Sequence, residues 1–195
     1  MTESSSTSNT LSLGDRFSDW VVVAITLVAL LAGWFFKSSV ENRSVLFQSS
    51  AIQAQIPQGW HTSVPQGDDV LQVNDPLSTG FGTTYSVKVI PIEAGSAVGQ
   101  AASLLTLQRG QLLTAYRVLE QKKVTVYGKP AYELSYVFVE TDPNLTHGDL
   151  PNIVLGLDYI YLSGDHAVVV TYWADKQNFE YDLGRFQLFL KSLEF

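Results

Sequence analysis

Residues 123–138 read KVTVYGKPAYELSYVF, and their period decides the fold. Val124 and Val126 lead into Tyr127-Gly128-Lys129-Pro130, after which Tyr132, Leu134, Tyr136 and Phe138 alternate with Glu133, Ser135 and Val137. A two-residue period on both sides of a Gly/Pro turn is the pattern of a β-hairpin. The pattern returns downstream, where residues 153–162 and 166–174 form two strands joined by Ser163-Gly164-Asp165. Upstream, residues 51–56, 70–73 and 83–92 read as three strands, the first stopped by Pro57-Gln58-Gly59, the second by Asn74-Asp75-Pro76 and the last by Pro91.

Two segments change period from two to 3.6. Val98, Ala101, Leu105, Leu112, Tyr116 and Leu119 predict an amphipathic helix over 96–120, with Gln100, Gln108, Arg109 and Gln111 elsewhere on its wheel. Phe179, Leu183, Phe186 and Leu190, flanked by Phe189 and Leu193, predict a second over 178–192. The resulting order is β-β-β-α-β-β-β-β-α, an α+β class in which an antiparallel sheet packs with two amphipathic helices.

The chain has 195 residues and no cysteine, with 12 Lys+Arg against 19 Asp+Glu and 46% hydrophobic residues, a composition that supports one folded domain with appendages. Its net charge of -7 provides no basic field for phosphates, so nucleic acid is not an expected partner. The acidity belongs to the domain, since residues 37–195 keep 11 basic against 16 acidic side chains. Without cysteine there are no disulfides, thiolate metal sites or thiol nucleophiles, and either redox compartment is tolerated.

Residues 1–19 are rich in Ser and Thr and read as a flexible tail. Residues 20–36, WVVVAITLVALLAGWFF, carry no charge and follow Asp19, a helix N-cap residue type. As a helix they span about 25 Å, close to the hydrocarbon thickness of a bilayer, and the long side chain of Lys37 can snorkel to make up the shortfall. The expected anchor includes Trp20, Leu27, Leu31, Trp34 and Phe36, the aromatics falling where interfacial belts form. A cleaved signal peptide and a buried core helix are the alternatives; the run is long for a signal sequence, and no clean small-x-small pattern precedes Lys37. Residues 37–50 read as a linker and 51–195 as the domain. Basic flanks are nearly balanced, with Arg16 before the span and Lys37 and Arg43 after it, so an extracytoplasmic domain is expected from the usual behaviour of signal anchors.

The domain resembles the PsbP-like superfamily, which includes the Ran-binding Mog proteins and DcrB-type envelope proteins. The residues that carry the resemblance are Ile56-Pro57-x-Gly-Trp60, the mid-chain helix, Val126-x-Gly128-x-Pro130-Ala131-Tyr132, and Val168-Val169-Val170-Thr171-Tyr172. A final helix ending Lys191-Ser192-Leu193-Glu194-Phe195 completes it. The resemblance covers about residues 45–195 and implies an α/β/α sandwich without catalysis. It implies a stabilising or assembly subunit of a larger complex, photosynthetic or respiratory, with membrane protein subunits as partners. A transmembrane helix departs from the lipidation or association common in that family.

Motifs for chemistry are sparse. His61, His147 and His166 do not fall at zinc-ligand spacings. Asp142, Asn144, His147 and Asp149 form the best candidate for a hard cation, although the loop lacks EF-hand spacing and a solvated polar loop is the plainer reading. Asp68, Asp69 and Asp75 read as turn residues. No nucleophile elbow, phosphate loop or complete dinucleotide fingerprint occurs, and no cofactor is expected. Tyr127, Tyr132, Tyr136, Tyr159, Tyr161, Tyr172 and Trp173 are dense enough for a binding surface, with sheet packing as the alternative. A small-molecule or metal-binding envelope domain and a hydrolase are the rival functional readings. In a binding role, the loop 141–152 and the apolar helix 20–36 would carry the contacts.

Overall fold

The hairpin at 127–130 forms as its period requires: β6 (Arg117–Val126) and β7 (Lys129–Glu140) pair antiparallel, with Val126 opposite Lys129. The two turn residues Tyr127 and Gly128 lie at φ 49° and 81°, the left-handed pair that matches the twist of a two-residue hairpin. The second hairpin joins β8 (Asn152–Ser163) to β9 (His166–Asp175) through Gly164 at φ 63°. The computed structural model describes residues 13–41, 43–64, 67–78, 80–93, 97–140 and 151–195.

Two compact units divide at Arg43. The first contains α1 (Leu13–Glu41), an apolar helix whose window from Trp20 to Lys37 has no buried residue. Helix therefore begins six residues before the expected end of the tail and continues into the expected linker. In the second unit, β1 (Ser44–Gln48) also occupies part of that linker and pairs with β2 (Gln53–Pro57) in a separate two-stranded sheet. The linker reading is corrected: SVLFQ has strand character, and its ladder with β2 satisfies its backbone on one side.

Strands β3 (His61–Thr62), β4 (Asp69–Asn74) and β5 (Thr84–Pro91) precede α2 (Val98–Leu112), and α3 (Phe179–Lys191) follows β9. The main sheet is antiparallel, in the order β3-β4-β5-β9-β8-β7-β6. Central β9 is buried on both faces, which explains its unbroken Val168-Val169-Val170 run. On one face, Tyr85, Val87, Val170 and Tyr172 pack beneath Phe186, Phe189 and Leu190 of α3 and Ala54 and Ile56 of β2. On the other, Leu134, Tyr136, Phe138, Ile160 and Val169 pack beneath Ala102 and Leu105 of α2. The result is the expected α+β sandwich, with α2 and α3 on opposite faces of the sheet.

The helix expected over 96–120 ends at Leu112, and Tyr116 and Leu119 lie beyond it. Leu113 turns extended and Ala115 takes φ 53°, after which RVLEQKKVTV finds its partner in β7. The nine-pair ladder outweighs the helical spacing of those two side chains. Arg109 and Leu112 also exchange roles: Arg109 shares the buried stripe with Ala102 and Leu105, while Leu112 is 82% exposed.

Gly156 of β8 stands in register between Tyr136 of β7 and Trp173 of β9. A Cβ at this position would lie far inside van der Waals contact with the edge of the Tyr136 ring. Replacing Gly156 by Ala is therefore expected to displace that ring and cost about 1–3 kcal/mol as overpacking. Equilibrium urea unfolding measures it, and an unchanged midpoint would show that the ring does not need the gap.

Candidate functional site

The unusual chemistry of the domain lies under α2. Arg109 is that helix's sole charged residue and sits in its last turn, where a cation suits the helix dipole. Its side chain enters the protein, with the residue 6% exposed, and meets Asp158 of β8, which is 0% exposed. Arg109 Nη2 donates to Asp158 Oδ1 and to Thr171 Oγ1, both at 2.9 Å. Asp158 and Thr171 are cross-strand partners, so the guanidinium clips two adjacent strands and one helix together.

Aromatic rings complete the site. The Tyr136 hydroxyl donates to Asp158 Oδ1 at 3.1 Å and accepts from Trp173 Nε1 at 2.6 Å. The Arg109 guanidinium carbon lies 4.9 Å from the Tyr136 ring centre and 5.1 Å from that of Trp173, so both π faces help to offset its lost hydration. Among the described residues, Arg109 Nε, Asp158 Oδ2 and the Tyr116 hydroxyl are buried without a hydrogen-bond partner. Burial pushes the Asp158 carboxyl up, opposed first by the Arg109 charge. Burial also disfavours the Arg109 guanidinium, yet Asp158, Tyr136 and Tyr116 together raise it, so Arg109 remains a cation. The charges are directed at one another inside the fold, and their chemistry is that of a clamp.

The opposite face carries a smaller counterpart. Asp182 of α3 is buried, accepts from the Thr83 hydroxyl at 2.7 Å and lies 3.8 Å from Arg185 Nη1. Each helix is thus fixed to the sheet by one buried charged residue. The sequence reading missed both, although Arg109 in phase with Ala102 and Leu105, and Asp158 within an apolar strand, were visible signals.

Trp20, Leu27, Leu31, Trp34 and Phe36 are all exposed along α1. Asp142, Asn144, His147 and Asp149 lie outside the described residues, as does most of the loop 141–152. Among the described residues, no three His, Asp or Glu side chains gather to hold a metal. Asp69 pairs with Lys88 at 3.3 Å, and Asp75 accepts the Leu77 N–H at 2.9 Å, an Asx turn. His61 and His166 are exposed, His166 lying 2.6 Å from Asp165. The aromatic set is divided between faces: Tyr136 and Trp173 lie under α2, Tyr159, Tyr161 and Tyr172 lie toward α3, and exposed Tyr127 donates to the Gln187 carbonyl. It is sheet packing for the most part. A groove of about 430 Å³ is lined by Val98, Lys123, Thr125, Pro130 and Leu162, with Val124 and Ala131.

No protein-family model matches the chain, and no curated protein matches it in sequence. Solved structures do match. Cyanobacterial PsbP from Synechocystis sp. PCC 6803 aligns at 12% identity and TM-score 0.55, over 77% of this chain and 91% of its own. The Ran-binding protein Mog1p of Saccharomyces cerevisiae aligns at 12% identity and TM-score 0.51, over 78% and 95%. The domain has the PsbP-like α+β fold that these structures share.

Removing one partner of the clamp leaves a buried charge alone, so Arg109→Met and Asp158→Leu are each expected to cost about 3–5 kcal/mol. The double variant should recover most of that loss, since two apolar side chains leave no stranded charge. A double-mutant cycle by urea unfolding reads the coupling, and simple additivity would refute the clamp. A second prediction concerns alkali. Burial is the leading cause that raises the Tyr85, Tyr136, Tyr159 and Tyr172 phenols, and it pushes Tyr161 up to about 12. The native state keeps protons that the unfolded chain releases near 10, so stability present below pH 10 is lost as pH rises toward 12 and beyond. Melting temperature against pH, read beside phenolate absorbance, tests that sign.

Proposed function

We propose that this chain is a single-pass membrane protein whose PsbP-like domain is a non-catalytic accessory, assembly or stabilising subunit of a larger membrane complex. The observation that carries the reading is α1. Its apolar window of 18 residues is exposed along its whole length and is long enough to cross a bilayer, about 27 Å as a helix. Such a surface needs lipid or other transmembrane helices around it, and residues 20–36 are the contacts available to them. An apolar window with no buried residue does not behave as the core helix of a globular domain.

The domain itself supports a binding role. Its buried Arg109–Asp158 pair is turned inward, and α2 and α3 are each held to the rest of the domain by a buried charged residue, which favours a body that keeps its surface constant. Mog1p, a fold neighbour, is a Ran-binding protein, so this architecture serves protein recognition in at least one setting. The reading places the domain on the extracytoplasmic side, as an uncleaved signal anchor would leave it. A photosynthetic or respiratory complex is the kind that the resemblance to the PsbP-like superfamily implies.

The groove beside Lys123 favours a second reading, a ligand-binding envelope domain, because apolar walls with one amine suit a small amphiphilic acid. Gentle detergent extraction from native membranes, followed by affinity capture, separates the two. Partners retained at fixed stoichiometry are the expected result. Recovery of the protein alone, as a monomer, overturns the subunit reading and leaves the groove as the place to look.

A further inference from the structure

The hairpin formed by β1 and β2 follows the anchor with almost no intervening chain. Two residues separate Glu41, the last of α1, from Ser44, the first of β1. At full extension that gap spans at most about 10 Å, and the helix residues after Lys37 add about 6 Å. The headgroup layer extends several Å beyond the hydrocarbon edge, so β1 is held within reach of it by covalent length alone.

Charge and exposure then indicate what covers the hairpin. From Ser44 to Gly67 the chain contains no Asp, Glu, Lys or Arg, although residues 37–195 as a whole carry a net charge of -5. An acidic surface is repelled by anionic lipid and loses hydration near any bilayer, and a charge-free hairpin avoids both costs. Within it, Val45 is 49% exposed and Leu46 56%, on a strand whose outer edge has no partner among the described residues. An open strand edge is excluded from hydrocarbon but tolerated among headgroups and their water, which sets the depth.

We infer that the β1–β2 hairpin lies on the bilayer, with Leu46, on the face opposite the core residue Ile56, in the headgroup layer, and so fixes how the domain stands on its membrane. The inference rests on the membrane-anchor reading of α1. The hairpin can transmit an orientation because it is fastened to the domain. Gln53 and Glu194 exchange two backbone hydrogen bonds of 2.9 Å, the Gln55 N–H donates to Ser192 Oγ, and Ala54 and Ile56 enter the core under α3.

The absence of cysteine makes the test direct. Full-length protein in lipid nanodiscs is labelled with a small fluorophore at Leu46→Cys, and separately at Val45→Cys, Leu27→Cys in the anchor and Tyr181→Cys on α3, all exposed positions. Quenching by nitroxide on the lipid headgroup is compared with quenching by aqueous iodide. The expected result is that the label at 46 gains lipid quenching and loses iodide quenching relative to 181, with the label at 45, on the other face of the strand, responding less. If the label at 27 escapes nitroxide carried on the acyl chain, the anchor reading itself is wrong. If 27 responds to acyl-chain nitroxide while 46 and 45 behave like 181, only the hairpin inference fails. Labels at 46 and 45 shielded from both quenchers would mean that protein covers the hairpin, which also overturns the inference.

Discussion

An arginine and an aspartate paired out of water are a costly way to join a helix to a sheet, and the rest of this domain is arranged around that cost. Hydrophobic burial alone would leave α2 without a preferred rotation. Leu105 points inward, yet Leu104, Leu107 and Leu112 point outward, so the helix has leucines on several sides. Only one rotation brings Arg109 to Asp158 and Thr171, and any other strands the carboxylate in an apolar strand. The pair thus selects a conformation more than it deepens one. Gly156 serves the same end, because its missing side chain is the space in which Tyr136 reaches Asp158.

The two faces of the sheet divide the work. Under α2 the apolar contacts surround a directional polar cluster of Arg109, Asp158, Thr171, Tyr136 and Trp173. Under α3 they are aromatic: Phe186 stacks with Tyr172 at 4.8 Å between ring centres and lies 5.2 Å from Tyr85. Apolar packing of that kind adds stability without choosing among near-equivalent arrangements. The domain uses both, one setting geometry and the other supplying the free energy to hold it.

Much of this architecture was legible in the residues. Both hairpin turns, the closing helix and the apolar N-terminal helix follow from period and punctuation, because each is a local signal repeated over enough residues to dominate its neighbours. The failures have physical causes. Tyr116 and Leu119 continued a helical spacing by coincidence, and the decision between helix and strand belonged to β7, a partner that no local window contains. β1 is five residues with one partner, too short to show a period. Arg109 was assigned to the polar side of its helix by residue type, although its phase with Ala102 and Leu105 placed it inside. Charge identity misled where position was informative. The carboxylate and histidine loop at 142–149 lies outside the described residues.

The strand order also sets a timetable. Strands β6 to β9 form a meander of neighbours in sequence, so each can pair as soon as its predecessor has been made. Strand β5 instead pairs with β9, with Pro91 opposite His166, across an interval that includes all of α2 and three strands. Non-local pairing of this kind is slow, because the intervening chain must be closed before the contact gives any return. Farther still, Gln53 is bridged to Glu194, almost the whole domain away. During synthesis the β1–β2 hairpin is complete long before Glu194 is made, so it can pair with itself well before it is fastened to the domain. Until then its apolar residues and open edge are unguarded, and a chaperone would meet this protein at that stage.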